Sequence, residues 1–136
     1  MARRNRRRKG AAVVELAILA PVLAFLFVAA VDFGRVFYYS VTLENCARNG
    51  AVYASDPTNA AFSRYTSLSD AATADAPNLS PAPNVTSASG TDASGQAYVT
   101  VTATWTFNTL TTYPGIPSST TLSRSVRVNV TPAAPN

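Results

Sequence analysis

Residues 11–31 constrain this chain more than any other stretch: 21 consecutive residues carry one charge, Glu15, and residues 16–31 carry none. Wound as an α-helix at about 1.5 Å per residue, the segment is roughly 31 Å long, which matches a bilayer core of about 30 Å. Lipid offers no water to satisfy backbone N–H and C=O groups, so a helix is the form such a segment takes there. The hydropathy pattern favours a membrane span over the core helix of a soluble protein.

The charge distribution orients the span. Residues 1–9 hold six of the eleven Lys and Arg side chains and no acid, whereas the rest of the chain has five basic and seven acidic residues. The pI of about 9.6 therefore belongs to the leader. A basic run can mark a nucleic-acid surface, but this one adjoins a span, where the positive-inside rule accounts for it. No nucleic-acid partner is expected, and the N-terminus is placed in the cytoplasm with the C-terminal part exported. A cleaved secretory signal would have an apolar region of about 7–15 residues followed by a small-residue cleavage site; the run here is longer, and Val31-Asp32-Phe33 suits such a site poorly. Cys46 is the single cysteine, which excludes an intrachain disulfide and points to a small packed thiol over an intermolecular link.

Beyond the basic leader (1–10, expected disordered along the inner membrane surface) and the span (11–31, expected to kink at Pro21), the helix is expected to continue amphipathically over 32–55. At the helical period Phe33, Val36, Phe37, Ala47, Ala51 and Ala54 share a face, with Glu44 near its centre, and Arg35, Tyr38, Thr42, Asn45, Asn49 and Tyr53 lie opposite. Glu44 and Arg48 stand in the favourable i,i+4 order for an ion pair, or for a polar contact to a partner subunit. Gly34 and Gly50 weaken the helix by up to ~1 kcal/mol each relative to Ala, and small residues of this kind also let neighbouring helices approach.

Asp56-Pro57 reads as an N-cap followed by the first position of a second helix, expected over 57–74 with Ala61, Phe62, Tyr65, Leu68 and Ala72 inward. Residues 75–83 read as a Pro-rich linker that completes the 56–83 segment. In 98–107 Val99, Val101, Ala103, Trp105 and Phe107 alternate with Tyr98, Thr100, Thr102, Thr104 and Thr106, the period of a strand with one apolar face. Leu122, Val126, Val128 and Val130 repeat the pattern, with Arg124 marking an edge or a bulge. A weaker strand over 84–89 joins through a Gly90/Gly95 loop, and Tyr113-Pro114-Gly115-Ile116-Pro117 punctuates the second connection. The expected fold class is α+β: a long N-terminal transmembrane and amphipathic helix covering a small antiparallel sheet of about three strands over 84–131, then a tail over 132–136.

No chemistry stands out. The chain has no histidine, its acids are scattered without a paired arrangement, and its many Ser and Thr lack a base or a nucleophile elbow. The expectation is a protein without catalytic residues, cofactor, metal or small-molecule substrate.

Gly10-Ala11-Ala12-Val13-Val14-Glu15, Ala20-Pro21, Val31-Asp32-Phe33-Gly34-Arg35 and Asn45-Cys46-Ala47-Arg48-Asn49-Gly50-Ala51 together resemble the TadE-like pilin-like proteins of the bacterial tight-adherence (Tad) pilus system. The resemblance covers roughly the first 55 residues, and Leu16 stands where related major pilins commonly carry an aromatic. It implies a pilin-like fold and a minor pilin or pseudopilin of the inner membrane, able to reach a surface pilus after processing, with a part in adhesion. It implies a prepilin peptidase cutting between Gly10 and Ala11, and other pilins or pilus assembly proteins as partners. Glu15 would help neutralise the new N-terminal ammonium, and Glu44 and Arg48 are candidates for subunit contact. The alternative is an unprocessed membrane-anchored envelope protein whose exported β-domain binds a ligand.

Overall fold

The computed structural model describes residues 4–110 and 117–132. The elements are α1 (Arg4–Ser55), α2 (Pro57–Ala60), α3 (Leu68–Thr73), β1 (Asn84–Thr91), β2 (Ala97–Asn108) and β3 (Ser119–Asn129). Three antiparallel strands in the order β1-β2-β3 pack against the second half of α1, giving the expected α+β architecture.

α1 starts within the leader, at Arg4, so residues 4–10 are helical and not disordered as expected; Arg and Lys are good helix formers and extend a helix already nucleated downstream. Residues 1–3 lie outside the described residues. The helix runs through Pro21 to Ser55 as one element.

The face that α1 buries is rotated from the expected one. Leu43, Cys46, Ala47 and Ala51 are almost wholly buried, with Asp32, Ser40 and Ser55 beside them, while Phe33 and Phe37 are 77% and 73% exposed and Glu44 is also on the surface. The reason is size. Ser40, Cys46, Ala47, Gly50 and Ala51 make a shallow track along which β2 comes close to the helix axis, and a phenylalanine in that track would prop the sheet away. At Gly50 a Cβ would stand 3.0 Å from Val101 Cγ1 and 3.2 Å from the Ala72 Cβ, so this glycine serves contact within the domain. Gly34 has open space around it.

The inner face of β2 is as the alternation indicated: Val99, Val101, Ala103 and Phe107 are buried, and Trp105 is half-buried with its Nε1 donating to the Pro81 carbonyl at 2.9 Å. Leu43, Cys46, Ala47, Ala103, Phe107 and Leu122 form the lower core, and Ala51, Val99 and Val101 the upper one. β3 keeps unbroken register with β2 from Tyr98↔Asn129 to Asn108↔Ser119, so Arg124, opposite Ala103, marks an edge strand and not a bulge. β1 reaches Thr91, two residues beyond the expected end. Gly90 thus sits in the strand, and the turn is built by Asp92, which accepts from the Ser94 and Gln96 amides, and by Gly95 at φ 84°.

Between helix and sheet the expected 57–74 helix is broken in two. Asp56 caps α2 and Pro57 opens it, as read, but Ser67 caps a restart at α3 by accepting from the Asp70 amide. The intervening polar turn leaves Phe62 86% exposed; Ala72 is buried as expected, with Ala71. The Pro-rich 75–83 stretch connects α3 to β1, and it packs as it does so: Ala76 and Leu79 are buried in the lower core. The Pro-Gly connection expected at 113–117 lies, up to residue 116, outside the described residues.

Candidate functional site

Two halves of α1 divide the surface. From Val13 to Phe27 every large apolar side chain is exposed, between 49% at Phe25 and 70% at Phe27. The helix is long and apolar enough to cross a membrane once. Gly10, Ala11 and Glu15 lie on its exposed N-terminal part, and nothing stands within 4 Å of where a Gly10 Cβ would be. Ala11 and Glu15 are four residues apart on a continuous helix, about one turn or 6 Å along the axis, so both point to the same side. Among the described residues Glu15 has no ion-pair partner.

Glu44 and Arg48 pair with each other at 3.2 Å, one turn apart, with the two side chains 49% and 62% exposed. This is the intrahelical ion pair, worth only a few tenths of a kcal/mol in such an exposed setting. Glu44 also lines a shallow groove of about 320 Å³ with Phe33, Phe37, Val41 and Arg124 of the edge strand. The structure therefore brings Glu44 next to the exposed aromatics and keeps Glu15 far from both.

Sequence reasoning passed over a cluster at the foot of the domain. Asp32, directly after the uncharged run, is 7% exposed. Its carboxylate accepts from the Leu110 amide (3.1 Å to Oδ2, 3.2 Å to Oδ1) and from Arg35 Nη1 at 2.8 Å. The Arg35 guanidinium lies 4.9 Å from the Phe107 ring centre and 5.9 Å from that of Tyr39, a cation–π arrangement, and Tyr39 continues onto Trp105 at 4.9 Å. An acid closing an apolar run, with an arginine three residues on, was the available signal.

At the other end of the domain, Asn49, Tyr53, Asp56, Arg64, Tyr65 and Asp75 are among the residues that line an open cleft of about 570 Å³. Its side chains are tied to one another, Asn49 to Asp75 at 3.0 Å and Asn59 to Asp56 at 2.6 Å. Cys46 lies below it, 1% exposed; burial first, then the Asp75 carboxylate, pushes its thiol pKa up, which keeps it protonated and unreactive. Among the described residues no three His, Cys, Asp or Glu side chains gather in a metal-binding group.

A profile of the TadE-like protein family matches residues 10–52. The match opens at the junction of leader and apolar helix, runs through Asp32, Glu44 and Arg48, and ends before the sheet. No curated protein and no solved structure matches the chain.

Proposed function

We propose, from the premise that residues 10–52 are TadE-like, that this Tad pilus-associated chain is a minor pilin or pseudopilin that helps assemble a surface pilus or related secretion machinery. One observation carries the reading: the family match begins at Gly10, where the long, exposed apolar stretch of α1 also begins. A helix that exposes its large apolar side chains over fifteen successive positions, 13–27, needs lipid or other helices around it. Lipid tails and helix surfaces are similarly apolar, so exchange between them turns on packing more than on hydrophobic gain.

In the proposed cycle the chain is a single-pass protein of the bacterial inner membrane, its N-terminus cytoplasmic and its β-domain exported. A prepilin peptidase cuts between Gly10 and Ala11, and Glu15 meets the ammonium of a neighbouring processed pilin as the helix leaves the bilayer. Such a pair must offset its own desolvation, so its contribution is to registry more than to stability. The role is structural, without catalysis or cofactor, and a part in adhesion follows from a place in the pilus.

The open cleft at the far end of the domain favours a second reading, an unprocessed anchor that holds a ligand there. Intact-mass measurement of the chain recovered from membranes containing the cognate peptidase separates the two. Loss of residues 1–10 is expected; a chain that keeps its whole leader overturns the pilin reading and leaves the anchored binding protein.

A further inference from the structure

The two ends of the sheet differ in chemistry. β2 has 12 residues, roughly 36 Å of strand at about 3.3 Å per step, and α1 from Asp32 to Ser55 is roughly 35 Å long, so strand and helix share one height. Both ends are tied: the Thr131 amide donates to the Ser55 carbonyl at 2.8 Å, and the Leu110 amide donates to Asp32. The upper end finishes in the Asp92–Gln96 turn, whose exposed side chains are polar or small. The lower end finishes at Leu110, 57% exposed, whose amide is held by Asp32; the chain neighbours of Asp32 are Phe33, 77% exposed, and Val31, the last residue of the uncharged run, so all three lie at about one height on the helix.

We propose that this lower end is a lipid-contact surface: the start of the β2–β3 connection rests on the membrane, with Leu110 and Phe33 seated at the headgroup–acyl boundary. The inference rests on the reading of residues 11–31 as a membrane span. Whatever is hydrogen-bonded to Asp32 lies at the level where that span ends. A helix tilt of about 20° moves a group some 10 Å off the axis by only about 3 Å in depth, too little to lift Leu110 clear. The polar groups there are already matched. Asp32 has its counter-charge in Arg35 at 2.8 Å, and the Leu110 amide has a carboxylate acceptor, so Asp32 and Leu110 enter a region poor in water with this charge paired and this donor satisfied. A partner protein on the same patch is the competing occupant.

The test uses the full chain in proteoliposomes at low protein-to-lipid ratio, with bimane attached to one introduced cysteine at a time, Leu110→Cys, Ala93→Cys in the upper turn, or Leu23→Cys in the span. The parent chain, whose Cys46 is buried, provides the blank. Lipids brominated near the headgroup are the quencher. Emission from the Leu110 probe is expected to fall about twofold more than that from the Ala93 probe, as for a group roughly 5–10 Å into the boundary. Equal quenching at the two positions, with the Leu23 probe strongly quenched, overturns the lipid contact and leaves the span standing. A Leu110 probe shielded from aqueous iodide yet unquenched by lipid overturns it in favour of a protein partner. An unquenched Leu23 probe overturns the span and the contact together.

Discussion

The backbone amide of Leu110 donates to both carboxylate oxygens of Asp32, 78 positions earlier, at 3.1 and 3.2 Å. This contact joins the last turn of the sheet to the first residue of α1 after its apolar run, and it fixes how far along the helix the sheet can slide. The Ser55–Thr131 bond does the same at the far end.

Removing that carboxylate should loosen the lower end first. In Asp32→Ala the Leu110 amide and the Arg35 guanidinium both lose a partner in a half-buried setting, a cost of about 1–3 kcal/mol. Urea unfolding should register the loss, and hydrogen exchange should speed at Leu110 more than at Val101. An Asp32→Ala, Arg35→Ala cycle should show coupling between the two residues; strict additivity would mean that their 2.8 Å contact contributes nothing.

Gly50→Leu tests the shallow track. The substitution gains helix propensity, about 1 kcal/mol relative to Gly, but its side chain meets Val101 and Ala72, both buried and neither a flexible chain end. Overpacking of this kind costs about 1–3 kcal/mol, so a net loss of stability is expected in thermal denaturation. Gly34→Leu, at an open position, should leave the domain's stability unchanged or slightly raised.

The Asp92 turn sets an acid limit. Hydrogen bonds from the Ser94 hydroxyl first, then from the Gln96 amide, hold the Asp92 carboxyl below its ordinary pKa. A depressed folded-state value means the turn's contribution is complete above the ordinary carboxylate pKa and is lost as pH falls through the lowered one. Ser94→Ala should move the Asp92 midpoint in a carbon-detected NMR titration back toward the ordinary range. An unmoved midpoint would assign the shift to the backbone amides.

On the pilin reading, Glu15→Gln keeps the shape of the side chain and leaves the Gly10-Ala11 bond intact, so the mature form should still be made. Breaking one side of a buried pair costs about 3–5 kcal/mol, so co-purification with other pilins, normalised to mature protein, should fall by roughly tenfold or more. Normal recovery would leave Glu15 as a hydrated residue at the membrane edge, a position in which glutamine is tolerated.

What the sequence determined by itself was whatever repeats locally. The apolar helix over 11–31, the alternation through Val99, Val101, Ala103 and Phe107, and the Asp56-Pro57 cap each follow from hydropathy period or backbone stereochemistry over a few residues, and each stands in the structure as read. Which face of α1 is buried was decided only by the tertiary structure. Hydrophobicity ranks Phe33 and Phe37 as core residues, but packing against a sheet selects for close approach, and Cys46, Ala47 and Gly50 offer it where phenylalanine does not. The break at Ser67 and the burial of Ala76 and Leu79 likewise depend on the room left between α1 and β1. Asp32 is the clearest case: its role comes from an amide 78 residues away, and no period or local spacing encodes a contact that exists only once β2 has been laid along the helix.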